Sequence, residues 1–260
     1  MNEAQEISPK LTADVTPSQS ATASITPCKR VRILRIIGHS LLAAFALSII
    51  LVLALRWIAP PTSAFMLARW LEGVVLAERR TPIHYTWVDW NEISLAMPLA
   101  VIAAEDQKFL DHHGFDLESI STQLEKKAAG KRVRGASTIS QQVAKNLFLW
   151  SGRSYVRKGL EAYFTVLIEL LWSKQRILEV YVNIAEFGDG MYGVSAAAET
   201  FFGKPAAKLT QGDAARLAAV LPNPKRLKVE NPTPHQVARR RWIERQMRQL
   251  GGTAFLKNMR

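Results

Sequence analysis

At 260 residues the chain has room for one sizeable domain with a tail and an anchor, and is short for two large domains. Its 34 Lys and Arg against 22 Asp and Glu give a formal charge of +12, which points to a polyanionic partner: nucleic acid, an anionic membrane surface or a phosphorylated substrate. The single cysteine, Cys28, excludes a disulfide framework within one chain and suggests no cysteine-based metal site.

Residues 1–28 are rich in Ser, Thr, Ala and Pro and poor in large apolar side chains, so they predict disorder. Lys29, Arg30, Arg32 and Arg35 follow, and then residues 36–55 carry no Asp, Glu, Lys or Arg. Those 20 residues, at about 1.5 Å each, match the roughly 30 Å hydrocarbon core of a bilayer. The run is longer than a signal-peptide core, lies behind a long tail and has no clear small-residue cleavage site after it, so it reads as a retained anchor. The basic cluster before it predicts a cytoplasmic N-terminus, with the remaining chain on the outer side of the membrane. Pro60 and Pro61 break the helix. Residues 64–76 form a second apolar segment, interrupted by Arg69 and Glu72 and too short to span. It either lies along the interface or caps the domain core, and its place beside the anchor favours the interface.

A helix is expected from Pro98 to a stop at Gly114, with Glu105, Phe109 and His112 sharing one face at i, i+4 and i+7. Glu105 follows Val101, Ile102, Ala103 and Ala104, the position of a carboxylate at the lip of an apolar wall; a lone Glu there also reads as a surface acid. Residues 117–134 are charged and lack a sustained apolar period, which suggests a mobile basic flap or a solvated linker. Next comes a polar stretch, residues 135–146. Thr138 and Gln141 form the pattern of a capping box, so a helix is expected to begin near Ile139. Its first free N–H groups, with Lys145 nearby, would suit an anion; a capped surface helix with a solvated Gln pair is the plainer alternative.

Residues 154–172 read as a helix apolar on most sides and so central to a core. Arg157, Lys158 and Glu161 lie on one side of it, and buried charges of this kind are either paired or line a cleft. Further helices are expected over residues 174–183, 194–202 with a glycine stop at Gly203, and 213–221, with a glycine-rich turn at Gly188, Gly190 and Gly193. The last, residues 234–250, carries Arg239, Arg240, Arg241, Arg245 and Arg248, and would either rest on anionic lipid or shield the domain. Strand-like alternation is scarce, so the fold class is mainly α.

Four ordered blocks stand out. They are Glu105-Asp106-x-x-Phe109-x-x-His112-x-Gly114-x-Asp116, Gly135-x-Ser137-Thr138-Ile139-x-Gln141-Gln142-x-x-Lys145-Asn146, Arg157-Lys158-x-x-Glu161 and Ile177-Leu178-Glu179-x-Tyr181-x-Asn183. In this order they resemble the peptidoglycan glycosyltransferases, glycosyltransferase family 51, over about residues 85–225. Within it the chain is similar to the monofunctional biosynthetic branch, since the Ser-x-x-Lys and Lys-Thr-Gly signatures of an added transpeptidase domain do not occur. The resemblance implies a lysozyme-like, two-lobed helical domain behind an N-terminal transmembrane helix. The expected division is residues 1–35 tail and basic flank, 36–55 anchor, 62–80 membrane-proximal segment, 81–250 glycosyltransferase domain and 251–260 tail.

The resemblance further implies extension of glycan strands from lipid II in the cytoplasmic (inner) membrane, with Glu105 as base and Glu161 as a second essential glutamate. It assigns substrate binding to Asp106, Phe109, His112, Ser137, Thr138, Gln141, Gln142, Lys145, Asn146, Arg153, Arg157 and Lys158. Glu161 would either hold a divalent Mg or Mn ion or orient the cations around the diphosphate; no organic cofactor is implied. Expected partners are lipid II, the growing strand, the membrane and cell-wall synthesis or division proteins, not nucleic acid. Two other readings stay open: a lysozyme-like hydrolase, which would need a second carboxyl group as acid, and a non-catalytic membrane scaffold.

Overall fold

The structure, a computed structural model, describes residues 27–75, 82–130, 137–152 and 154–259. The expectations for residues 1–26, for the basic residues Lys131, Arg132 and Arg134, and for Arg153 fall outside them. The described residues form ten α-helices and one small three-stranded sheet. The chain divides into two compact units, the first ending at Ala46 and the second running from Leu47.

Helix α1, Pro27–Ala54, begins ahead of the apolar run, so Cys28 and the basic cluster lie on the same helix as that run. Its stretch Val31–Ala54 is long and apolar enough to cross a membrane. Its end shows why a helix stops there. Arg176 donates from Nε and Nη2 to the Leu55 carbonyl and from Nη2 to that of Ile58, and Trp172 Nε1 donates to Val52 O. Carbonyls without intrahelical partners thus receive a cation, which also suits the negative end of the helix dipole. Helix α2, Ala64–Val75, follows the Pro60-Pro61 break. Arg69 ties it to Glu186 at 3.2 Å and Asp189 at 2.5 Å.

Helix α3, Ala96–Glu105, is the centre of the core: all eight side chains from Ala96 to Ala103 are buried. Helix α4, Leu117–Ala128, occupies the segment read as a flap or linker, capped by Asp116, which accepts from Ser119 N. A polar sequence without an apolar period can still form a helix when its cap is strong and its acidic and basic residues complement the dipole, as Glu118 and Lys126–Lys127 do here. Helix α5, Ile139–Phe148, has the expected capping box: the Thr138 side chain accepts from Gln141 N and Gln141 Oε1 accepts from Thr138 N.

Helix α6, Tyr155–Leu171, departs from expectation. Only Glu161, Thr165 and Ile168 are buried, while Tyr155, Val156 and Leu170 are at least 72% exposed. Apolar side chains all round do not by themselves place a helix at a centre; α6 buries one side against α5 and leaves an apolar surface outside.

Helix α7, Lys174–Ile184, shows what the fourth sequence block does. Asn183 exchanges two hydrogen bonds with the Val88 backbone, and Glu179 accepts from Trp90 N at 2.8 Å. The strands β1 His84–Tyr85, β2 Glu186–Gly188 and β3 Met191–Tyr192 form a sheet of order β1-β3-β2, with β1 parallel and β2 antiparallel to β3. The glycine-rich turn is thus a hairpin. Gly193, at φ +85°, has no room for a side chain, since a Cβ would lie 2.7 Å from Asn183 O. Helices α8 Val194–Phe202, α9 Gln211–Val220 and α10 Pro234–Gln249 complete the domain. Both α9 and α10 pack on α3.

Candidate active site

Helix α3 ends at Glu105 instead of continuing to Gly114, so Glu105, Phe109 and His112 do not share a helix face. The physical reason lies in Asp106, which leaves helical geometry (φ −159°, ψ 78°) and places its carboxylate against the next element. Its Oδ2 accepts from Ile139 N at 3.0 Å, and its oxygens lie 3.0 and 3.1 Å from His112 Nε2. The positive end of α5 is therefore already met by a carboxylate of the protein, and the Ile139 N–H expected to receive a substrate anion is occupied. His112 is held on its other side too, its Nδ1 accepting from Gly114 N. Gly114, at φ +87°, closes this joint: its carbonyl accepts from Thr138 Oγ1, and a Cβ would lie 2.7 Å from Thr165 Cγ2.

With the joint fixed, Glu105 comes to the edge of a cleft of about 330 Å³, within the range of small-molecule sites. Asp106, Lys108, Ser119, Ser137, Thr138 and Trp242 also line it. The Glu105 carboxylate is held on both oxygens: Gln142 Nε2 donates to Oε2 at 3.1 Å and Arg239 Nη2 to Oε1 at 3.2 Å. Tyr181 OH donates to Gln142 Oε1 at 3.0 Å, which fixes the direction of the amide. Burial nonetheless dominates and raises the Glu105 pKa above its ordinary value. The hydrogen bond from Gln142 and the charges of Arg239 and Lys145 work against that rise, and neighbouring Asp106 adds to it. The fully buried Tyr181 phenol is pushed well up by desolvation and stays a donor.

The cations form a second group. Glu161, 3% exposed, accepts from Arg157 Nη1 at 2.8 Å and from Lys158 Nζ, so both its oxygens are used. Arg157 Nε and Asn146 Oδ1 are buried without a hydrogen-bond partner among the described residues, and such atoms mark where a bound molecule would complete the pairing. Lys145 links the two groups. Burial lowers its pKa first; the charge of Glu161 raises it, Arg157 and Lys158 lower it, and Glu105 raises it. A lysine that is held partly desolvated beside two other cations is short of negative charge, and an anion entering here would supply it.

The structure thus brings together Glu105, Gln142 and Lys145, with Asn146, Arg157, Lys158 and Glu161 joined through Lys145. Asp106, Ser137 and Thr138 line the cleft. Phe109 is fully buried beneath the Lys174 ammonium, and Gln141 is spent on its capping box; neither is among the cleft-lining residues. Sequence reasoning did not pick out Arg239, 134 residues from Glu105, although it lay in a noted arginine cluster. It quoted Tyr181 without giving it a role.

A divalent ion at Glu161 would have to share oxygens that already accept from Arg157 and Lys158. Among the described residues no group of three or more His, Cys, Asp or Glu could hold one.

Comparison with known proteins identifies the family. The family model described as Transglycosylase matches residues 72–248. A protein of Xanthomonas campestris pv. campestris (strain B100), named biosynthetic peptidoglycan transglycosylase, is 57% identical over 212 residues, covering 82% of this chain and 86% of that protein. A protein of the same name from Xanthomonas oryzae pv. oryzae is 53% identical over 230 residues, covering 88% and 94%. One from Xylella fastidiosa (strain M12) is 51% identical over 222 residues, covering 85% and 91%. A match across most of the helical domain, with relatives more than half identical over most of the chain, settles the assignment: the chain belongs to the transglycosylase family.

Proposed function

We propose that this transglycosylase polymerises lipid II into β-1,4 glycan strands, with Glu105 as the base. The observation that carries the reading is a part-buried carboxylate on a cleft, with raised proton affinity, electrically coupled through Lys145 to a group of cations. The acceptor sugar hydroxyl gives its proton to Glu105 as its oxygen forms a bond to the donor's anomeric carbon. The bond from that carbon to the diphosphate breaks, and the electron pair leaves with the diphosphate. Each Glu105 oxygen retains accepting capacity beside the bond it already makes. Displacement from the side opposite the leaving group inverts the anomeric centre.

A hydrolase of glycan needs a second carboxyl group to protonate an alkoxide. Diphosphate leaves without one and needs its charge held, by Lys145, Arg157 and Lys158 in this reading. Asp106, the nearest second carboxylate in sequence, is engaged by Ile139 N and His112. We assign no residue to a divalent ion; any Mg or Mn requirement would be met through the diphosphate oxygens.

The membrane arrangement is part of the same proposal. Helix α1 anchors the chain with its basic flank in the cytoplasm. The exposed apolar residues of α2 (Leu67, Trp70, Leu71, Val74) and α6 (Tyr155, Val156, Leu170) rest in the outer leaflet, where a lipid-linked donor arrives. Cell-wall synthesis or division proteins are the expected partners.

The deciding experiment incubates the purified full chain with lipid II, and separately with preformed peptidoglycan, each with and without a chelator. Polymer from lipid II is the expected result. Soluble fragments from finished peptidoglycan with no polymer would show a hydrolase. Turnover of neither would leave a scaffold, and loss of polymer on chelation would put a metal back into the step.

A further inference from the structure

The C-terminal helix α10 has a basic surface that its sequence assigns equally to lipid or to shielding. Its position decides otherwise. Helix α10 is fixed by a capping box at Thr233 and Gln236, by Pro234 in its first turn, and by buried Ile243 and Met247; it packs on α3. That packing brings Arg239 to the end of α3, with Nη2 3.2 Å from Glu105 Oε1 and 3.5 Å from the Ala104 carbonyl. Three negative features meet there: the Glu105 carboxylate, the adjacent Asp106 and the free carbonyls of a helix C-terminus. Arg239 answers two of them directly, the Glu105 carboxylate and the Ala104 carbonyl, and its Nε is buried without a partner among the described residues.

We infer that Arg239 is a positioning residue for the reaction proposed above, holding Glu105 by its Oε1 so that the carboxylate stays ionised and fixed in the cleft until the acceptor hydroxyl arrives. Gln142 alone fixes one oxygen and leaves the carboxyl group free to rotate; the pair fixes its plane. The other groups around Glu105 do not replace Arg239. From α5 come Gln142 and Lys145, and Lys145 also faces Glu161, Arg157 and Lys158. From α7 comes Tyr181, a neutral phenol. Asp106 opposes ionisation, and Lys108 in the following turn is paired with Glu118. Of the charged residues on α9, Asp213 is bound to Lys204 and Arg216 to Val229 O, while Lys257 beyond α10 is exposed. The sign follows: losing a cation raises the proton affinity of a carboxylate, so without Arg239 Glu105 ionises at higher pH.

The test compares the full chain with Arg239→Gln, Arg239→Lys and Arg240→Gln, the last altering a neighbour paired with Glu244 at 2.9 Å. Two readouts are taken: the pH profile of lipid II polymerisation, and the Glu105 carboxyl titration by ¹³C NMR, assigned with Glu105→Gln. Arg239→Gln is expected to move both the acid limb and the titration to higher pH, with a loss on the order of a hundredfold near neutrality, as for a reacting group displaced by about 1 Å. Arg240→Gln should move neither. Arg239→Lys keeps the charge and loses the fork, so kcat falls while the limb stays put; wild-type kcat in this variant would overturn the inference even where Arg239→Gln does not fold. Activity lost equally at every pH, with the Glu105 titration unmoved, would leave Arg239 a purely structural role. The NMR titration needs no turnover, so failure of the proposed reaction and failure of this inference give different results.

Discussion

Two glutamates, Glu161 buried and Glu105 part-buried, stand at the ends of the site, and their partners make them different tools. Glu161 has both oxygens taken by Arg157 and Lys158, and is a fixed anion that sets where cations sit. Glu105 has one neutral donor and one guanidinium, and burial still leaves its pKa raised. Low solvent exposure is common to both; the balance of charge around each decides whether a carboxylate holds a neighbour in place or accepts a proton.

The sharpest way to break this comparison is Glu105→Gln. It should cost about a hundred- to ten-thousandfold in polymerisation, the usual contribution of a general base, while thermal melting is unchanged or higher. The stability sign follows from the raised folded pKa: a carboxyl group of this kind favours folding while protonated, and that contribution is lost as pH rises through its folded value. Full activity in the variant would remove Glu105 from the role. For the same reason the acid limb of the wild-type profile should lie above the ordinary carboxylate range. Next in size, Lys145→Met should lose on the order of a hundredfold, comparable to removing one charge-stabilising donor, with little change in melting because it relieves repulsion with Arg157 and Lys158. Since burial lowers the Lys145 pKa, the alkaline limb is expected below the ordinary lysine range.

Glu161→Gln reverses the balance. Stripping the anion leaves Arg157 largely buried and uncompensated, so melting should fall by about 1–3 kcal/mol, less than for a fully buried pair because Lys158 is half exposed. A variant as stable as the parent would refute a structural share for Glu161. The smallest effect belongs to Tyr181→Phe, which frees the Gln142 amide to turn and should cost about 0.5–1.5 kcal/mol in stability or transition-state binding, read from melting and from kcat/KM.

Local signals carried far in this chain. The long apolar helix, the Thr138–Gln141 capping box and helix α7 follow from patterns within a few residues, and each is legible because the signal there depends on near neighbours. Helix α4 reads from sequence as a flap or a linker because its stability comes from caps and dipole complementarity in place of an apolar period. The end of α3 was misjudged because what stops it is Asp106, whose carboxylate is drawn to Ile139, 33 residues away.

The sequence by itself determined the helical class, the membrane-compatible segment, the family blocks and the identity of Glu105, Lys145 and Glu161, since each rests on composition or on order along the chain. Tertiary structure alone decided that α6 buries one side and exposes the rest, that Asp106 accepts from Ile139 N at the start of α5, and that Arg239 reaches Glu105. Those outcomes depend on charges and surfaces that meet only after packing, and no spacing along a chain encodes which distant cation will arrive beside a buried carboxylate.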